Sequence, residues 1–181
     1  MTNYNPHHIG TLSPEMALLG QLYDSPGHGY DLHRTVVADL GHVWHLSQSQ
    51  AYAILKRLEV HGDISMEEIY QEKLPPRQLL HLTQQGRDRF LNWLDTSSGG
   101  STRAIRLEFI TRLYFLNQYF PEKIPHAFDQ QRSEAEIHIQ RLEEAQKHLP
   151  DDQVYNRMSL NMRLEQLRAV LAWLDECRKY F

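Results

Sequence analysis

SQSQAYAILKRLE, residues Ser47 to Glu59, reads as a short helix with two unlike faces. Ala51, Leu55 and Leu58 recur at i, i+4 and i+7 and make one apolar stripe. Ser49, Tyr52 and Lys56 recur at i, i+3 and i+7 on another side, flanked by Gln50 and Arg57. Ser47 with Gln50 three residues later is a capping-box pattern, so the helix starts there. Gly62 stands where the helix can end. A helix that buries one side and offers hydroxyls, amides and cations on the other suits a DNA groove. Amides and hydroxyls bond base edges, and cations meet phosphates. The same pattern also fits an ordinary amphipathic helix with a solvated face.

The flanking sequence narrows this choice. Upstream, Ser13 to Tyr23 reads as a helix with Ser13 as N-cap, Pro14 at its first position and Glu15 in its first turn. Asp24-Ser25-Pro26-Gly27 breaks it. Gly29 to Leu40 is a second helix, stopped by Gly41, and Trp44 in the connector is a core plug. Downstream, Ile64 to Gln71 and Arg77 to Thr83 are two extended runs around a turn at Glu72 to Pro76, hence a hairpin. Three helices and then a β-hairpin is the order of a winged helix, in which the third helix enters the major groove and the hairpin reaches the flanking backbone. A fourth helix runs through Trp93 and Leu94.

Ser97-Ser98-Gly99-Gly100-Ser101-Thr102 has the composition of a flexible linker. The expected division is a loose tail at 1–11, a winged helix at 12–97, a linker at 98–102 and a helical domain at 103–181. The last part holds a helix from Arg103 to Phe120 and two long ones. Ile124 to Leu149 carries Ile124, Phe128, Ala135, Leu142, Ala145 and Leu149 at heptad spacing, with Gln131 and His138 in the same seam. Past Pro150, Leu160, Leu164, Leu167, Leu171 and Leu174 alternate four and three apart, and a second stripe of Met162, Ala169, Trp173 and Tyr180 lies beside them. Two stripes are too much apolar surface for one neighbour. One can pair antiparallel with the preceding helix; the other needs a further surface, the winged helix or a second chain. The fold class is therefore mainly α with a small β-hairpin: an N-terminal winged helix-turn-helix and a C-terminal antiparallel, coiled-coil-like helical dimerisation domain.

Composition sets limits. The 181 residues are 41% hydrophobic and 23% charged, which is enough for a real core. No run of about 18 apolar residues is present to span a membrane, and the first residues lack the features of a secretory signal. Cys177 is the single cysteine, which fits a reducing cytoplasm. No Gly-rich phosphate loop, nucleophile elbow or paired metal-spaced Cys or His argues for an enzyme or a cofactor, and the adjacent His7 and His8 alone make a weak metal signal. The net charge is −4, and residues 1–97 hold 7 Lys and Arg against 11 Asp and Glu. The half expected to bind DNA is the acidic one, so binding there has to lean on local cations.

Taken in order, Ala17-Leu18-Leu19-Gly20, Pro26, His28-Gly29-Tyr30-Asp31-Leu32, Trp44, Gln50-x-Tyr52, Leu55-Lys56-Arg57-Leu58-Glu59, Gly62-x-Ile64, Pro75-Pro76-Arg77, Leu82-Thr83 and Gly86 resemble the PadR family of bacterial transcriptional regulators. Arg106-Leu107-Glu108-Phe109 and Leu113-Tyr114-Phe115 resemble the start of that family's dimerisation domain. The chain is most similar to the longer subgroup with an extended helical arm. The resemblance implies a homodimeric regulator, a repressor by preference, on a near-palindromic double-stranded operator. It implies recognition-helix contacts at Ser47, Ser49, Gln50, Tyr52, Lys56 and Arg57, and wing contacts at Lys73, Arg77 and Gln78; Tyr30 and Trp44 read as holding the fold, although His28 and Tyr30, at a helix start, could meet a phosphate. It places Leu160, Leu164, Leu167, Leu171, Leu174, Trp173, Phe109 and Leu113 in the dimer interface. Gln78 and Leu80 depart from the basic and aromatic residues the family often has in the wing. A small aromatic effector has a candidate site at Trp93, Trp173, Phe109 and Tyr114, although aromatic residues at helical spacing also read as plain core. The alternative to DNA binding is a winged helix kept as a protein-interaction module.

Overall fold

Three helices, α1 (Glu15–Gly20), α2 (Gly29–Leu40) and α3 (Gln48–Val60), meet through the apolar positions of their periodic faces. Leu18, Leu19, Leu32, Val36, Leu40, Ala51, Leu55 and Leu58 are all buried there, with Trp44 and Leu46 of the connector between them. The computed structural model describes residues 12–71 and 74–181, with the backbone path alone for residues 70, 71 and 74–76. The expected tail at 1–11 and the wing residue Lys73 therefore lie outside the described residues. Helix α1 begins later than its sequence suggests. Pro14, not Ser13, stands at the N-cap, and the Ser13 hydroxyl instead accepts a long bond from Arg57 (3.5 Å).

The hairpin pairs β1 (Ile64–Gln71) antiparallel with β2 (Leu74–Leu82), in a register that sets Ile64 against Leu82 and Ile69 against Arg77. Strand β2 starts at Leu74, so Pro75 and Pro76 belong to the strand and not to the turn. Consecutive residues of an edge strand point their N–H groups to opposite sides, so one proline can face outward at no cost, and the register shifts between Ile69 and Gln71 on the facing strand. The base of the hairpin is fixed by a two-way bridge. Gly27 donates to the Leu80 carbonyl (3.0 Å), and Leu80 donates back to Gly27 (2.9 Å). Helix α4 (Gln84–Leu94) follows, capped by the Thr83 hydroxyl, which accepts from the Gly86 N–H (3.1 Å).

Helix α5 runs from Thr102–Ala104 through a π-helical turn, Ile105–Phe109, into Ile110–Tyr119. A π turn carries one extra residue and re-aims the side chains after it. Here the Thr111 hydroxyl donates to the Leu107 carbonyl (2.6 Å) and accepts from the Trp44 indole (2.8 Å), which ties the connector before α3 to the arm. Gly20 allows the close contact of α1 with α5: a Cβ there would stand 2.4 Å from the Phe115 ring. Helices α6 (Ile124–Lys147) and α7 (Val154–Cys177) form a long antiparallel hairpin. No helix among the described residues is long and apolar enough to cross a membrane. One continuous core joins the first three helices to the arm.

Two expectations are corrected here. Leu164, Leu167 and Leu174 are buried within their own chain against α6, and Phe109 and Leu113 are core residues of α5, so none of the five is free to meet a second chain. Leu160, Leu171 and Trp173 are half-buried beside them. Of the second stripe, Met162, Ala169 and Tyr180 stay outside while Trp173 packs on Phe109; Tyr155 and Met158 extend the uncovered surface, and Tyr155, Met158, Met162 and Tyr180 are 87, 63, 64 and 83% exposed. The second correction concerns the flexibility of residues 98–102. Gln131, 1% exposed, accepts from the Ser98 N–H (3.0 Å) and donates to the Gly99 carbonyl (3.2 Å). Arg112, 2% exposed, donates to the Ser98 hydroxyl (2.6 Å) and to the Trp93 carbonyl (3.0 Å), and lies over the Trp93 ring. Burial drops the Arg112 pKa to about 10, with Glu108 opposing the fall. Gly and Ser composition signals freedom only when nothing satisfies the backbone, and here two buried side chains do so.

Arg112→Met keeps the volume but leaves the Trp93 carbonyl and the Ser98 hydroxyl without their buried donor. Urea unfolding should show a loss of about 1–3 kcal/mol, the usual cost of an unsatisfied buried group. An unchanged midpoint would show that the clasp contributes nothing.

Candidate nucleic-acid interface

The N-terminus of α3 is built by a reciprocal cap. Ser47 accepts from the Gln50 N–H (3.3 Å), while Gln50 Oε1 accepts from the Ser47 N–H (2.9 Å) and hydroxyl (3.0 Å). Ser49 lies 3.1 Å from the Ser47 hydroxyl. At the other end Gly62 takes φ +78°, a left-handed conformation that terminates the helix cheaply only without a Cβ. Between these ends Ala51, Ile54, Leu55 and Leu58 face inward, and Ser49, Gln50, Tyr52, Ala53, Lys56 and Arg57 are exposed.

Exposure does not make all six equally available. The carbonyl of Gln50 is occupied by the cap. Tyr52 leans back over α2, so close that a Cβ on Gly29 would stand 3.1 Å from its ring. Lys56 is 70% exposed and bonds Glu59 at 2.7 Å, an exposed pair worth little that is readily exchanged for another anion. Arg57 is turned aside: its Nε donates to Glu15 Oε1 (2.7 Å), away from the outer edge of the helix. On the wing, the Arg77 and Gln78 side chains are exposed. The His28 ring lies 2.8 Å from the Gln78 carbonyl, so His28 ties the start of α2 to the hairpin, while Tyr30 stands 54% exposed beside it with Arg34 over its ring.

What holds α3 in place is a charge network that sequence reading did not find. Glu15 is shared by Arg57 and Arg89, and Arg89 also pairs with Asp63, which is 1% exposed at the turn after α3. Burial acts to raise the Glu15 pKa, but the bonds from Arg89 and Arg57 outweigh it and hold the carboxyl below its ordinary value. Residues 42, 48 and 74 positions away in the chain cannot be matched by any local spacing rule. The capping box, by contrast, was legible because its partners are three residues apart.

Beside the Gln50–Arg57 flank of α3 lies an open groove of about 940 Å³, walled by Trp44, Leu46, Ile54 and Leu107 and edged by Arg103 and Arg106. Both arginines are exposed and have no charged partner among the described residues. The four aromatics expected to line an effector site do not form one pocket. Trp93 stacks on Phe90, Phe109 and Trp173 pack edge to face, and Tyr114 donates to Asp39 (2.7 Å). Their rings are already covered by neighbouring side chains.

Against known families, residues 18–92 match the PadR-like family of transcriptional regulators. Over that segment the chain is similar to PadR-like regulators. The helical extension beyond the PadR-like domain matches the C-terminal region of virulence activator alpha over residues 105–181. The negative transcriptional regulator PadR of Bacillus subtilis is 24% identical over 170 residues, covering 88% of this chain and 92% of that one. Of solved structures, Bacillus subtilis PadR in complex with operator DNA is 23% identical, covers 90% of this chain and 95% of its own, and has a TM-score of 0.46. The same regulator in complex with p-coumaric acid is 22% identical, with 91% and 92% covered and a TM-score of 0.41. The PadR-like domain contains α3, the hairpin and the whole Glu15 network except Glu15 itself.

The network makes the domain sensitive to acid. In the unfolded chain Glu15 titrates at its ordinary value of 4.5, and in the folded chain it titrates lower. Its contribution is therefore fully present above pH 4.5 and disappears as pH falls through the folded value. Glu15→Gln should lower the melting temperature at pH 7, with the gap to wild type closing toward pH 3. A gap independent of pH would show that the ion pairs do not carry the effect.

Proposed function

We propose that the protein is a homodimeric repressor that docks two winged helices on a near-palindromic operator, with residues 12–97 as reading head, 98–102 as the joint and 103–181 as the dimerisation arm. The observation that carries this reading is the pairing of two surfaces. One is the capped, outward-facing polar edge of α3 with Lys56 and the wing residues Arg77 and Gln78. The other is the uncovered stripe Tyr155–Met158–Met162–Ala169 on a 24-residue helix. An exposed apolar stripe at near-heptad spacing on a helix already packed on its other side is the surface of a helix that pairs again. A repressor acts by occupying its site and needs no contact with polymerase, and the Bacillus subtilis relative is a negative regulator. The DNA it serves places its action in the cytoplasm.

The groove beside α3 favours one addition. Its apolar wall with two unpaired arginines suits a small aromatic carboxylate, which would bear directly on the Arg57–Glu15 contact. That class includes p-coumaric acid, the ligand of the relative's second structure. Trp44 lines the groove, so titration with p-coumarate should quench its fluorescence and shift operator release. A flat titration would remove this addition without touching the repressor reading.

Footprinting on the promoter region of the chain's own gene should show two protected half-sites. Affinity should fall with salt at a log–log slope of about −0.9 per phosphate neutralised. Lys56→Ala should reduce that slope by about one per half-site, about two for the dimer, and weaken all sequences alike. Met158→Glu with Met162→Glu should convert the dimer to a monomer in sedimentation and abolish the paired footprint. A wild-type chain that sediments as a monomer, or protects no DNA at low salt, would refute the proposal.

A further inference from the structure

We propose that α3 reads bases along the edge Ser49–Ala53–Lys56, and that Ala53 selects a thymine through its 5-methyl group. This rests on the operator-binding reading above and names the contact which that reading leaves open.

The direction of the edge follows from burial. Ala51, Ile54, Leu55 and Leu58 fix the inward side of α3. At 3.6 residues per turn, the opposite side passes through Ser49, Ala53, Lys56 and Val60, and all four are exposed. Gln50 and Arg57 lie on one flank, Tyr52 and Glu59 on the other. On the flanks, Gln50 Oε1 is engaged by Ser47, Arg57 by Glu15 and Glu59 by Lys56, while Tyr52, 45% exposed, leans back over Gly29. The outer edge is thus left with a hydroxyl, a methyl, an ammonium and an isopropyl group, and no carboxylate.

Ser49 and Ala53 are also short, one helical turn apart. Short side chains let the helix backbone approach the groove floor, where a long one would hold it off. In the major groove the thymine 5-methyl is the apolar group that distinguishes the base pairs, and an alanine methyl is a fitting contact for it. Ala53 stands at the middle of the edge, between the Ser49 hydroxyl, which can bond a neighbouring base, and the Lys56 ammonium, which reaches the backbone. Ala53 is exposed and outside the core, and it borders the groove on the Gln50–Arg57 side of α3. Its small size matters only toward whatever meets this edge.

The test uses the full-length protein and duplexes selected from a random pool. Each thymine of the selected site is replaced in turn by deoxyuridine, which removes only the methyl. Wild type should lose about fourfold in affinity at one thymine per half-site, the effect of one methyl-sized group buried. In Ala53→Gly that ratio should fall to near one, while ratios at other positions stay as they were. Because each ratio is taken within one protein, any loss of helix stability in the variant cancels. Enrichment of a site in which no thymine responds, or a response that Ala53→Gly leaves intact, overturns the inference alone. No enrichment at all overturns the operator-binding reading and the inference with it.

Discussion

The position of α3 depends on a single carboxylate. Glu15 sits between Arg57 of α3 and Arg89 of α4, and Arg89 reaches on to buried Asp63. Burying these charges costs desolvation, and the arrangement holds because every charged group has an opposite partner. The same arrangement bears on the composition. Glu15 and Asp63 engage Arg57 and Arg89, which leaves the net charge of residues 1–97 as it was but occupies two of its seven cations. Exposed cations among the described residues near α3 and the hairpin include Arg34, Lys56 and Arg77, with Arg103 and Arg106 on the arm.

Local pattern made much of the fold readable. The capping box at Ser47–Gln50, the two β runs, Trp44 as core plug and the α6–α7 hairpin all follow from spacings of two, three, four or seven residues. What the sequence could not show is which of two plausible partners a group takes. Helix α7 carries two apolar stripes of similar strength, and only the packing of α6 decides that the leucines turn inward and the methionines outward. Arg57 fits a phosphate or a carboxylate equally well until Glu15, 42 residues earlier, is seen beside it. The aromatic residues of the arm were readable as core or as pocket, and their mutual packing makes them core.

The π turn at Ile105–Phe109 and the clasp at Ser98 left no trace in the periodicity. One extra residue in a helix shifts the stripe by about 100°, which reads as noise in a short segment. The segment 98–102 reads as free because glycine and serine are what a free segment contains. They also suit a close passage of the chain past a neighbouring helix. Gly100 shows this, since a Cβ there would stand 2.0 Å from the His138 ring.

In the proposed dimer, that clasp governs how the two winged helices relate. With Ser98 held by Arg112 and Gln131, and Trp44 bonded to Thr111, each head is fused to its arm and cannot swivel on it. In a two-fold assembly the distance and phase between the two α3 helices are then set by the arm, as the jaws of a caliper are set by its beam. Inserting one base pair between half-sites turns one by about 35° relative to the other. A hinged regulator would follow that rotation. A rigid one has to strain the DNA or release a half-site, so the spacer length becomes part of what the protein recognises.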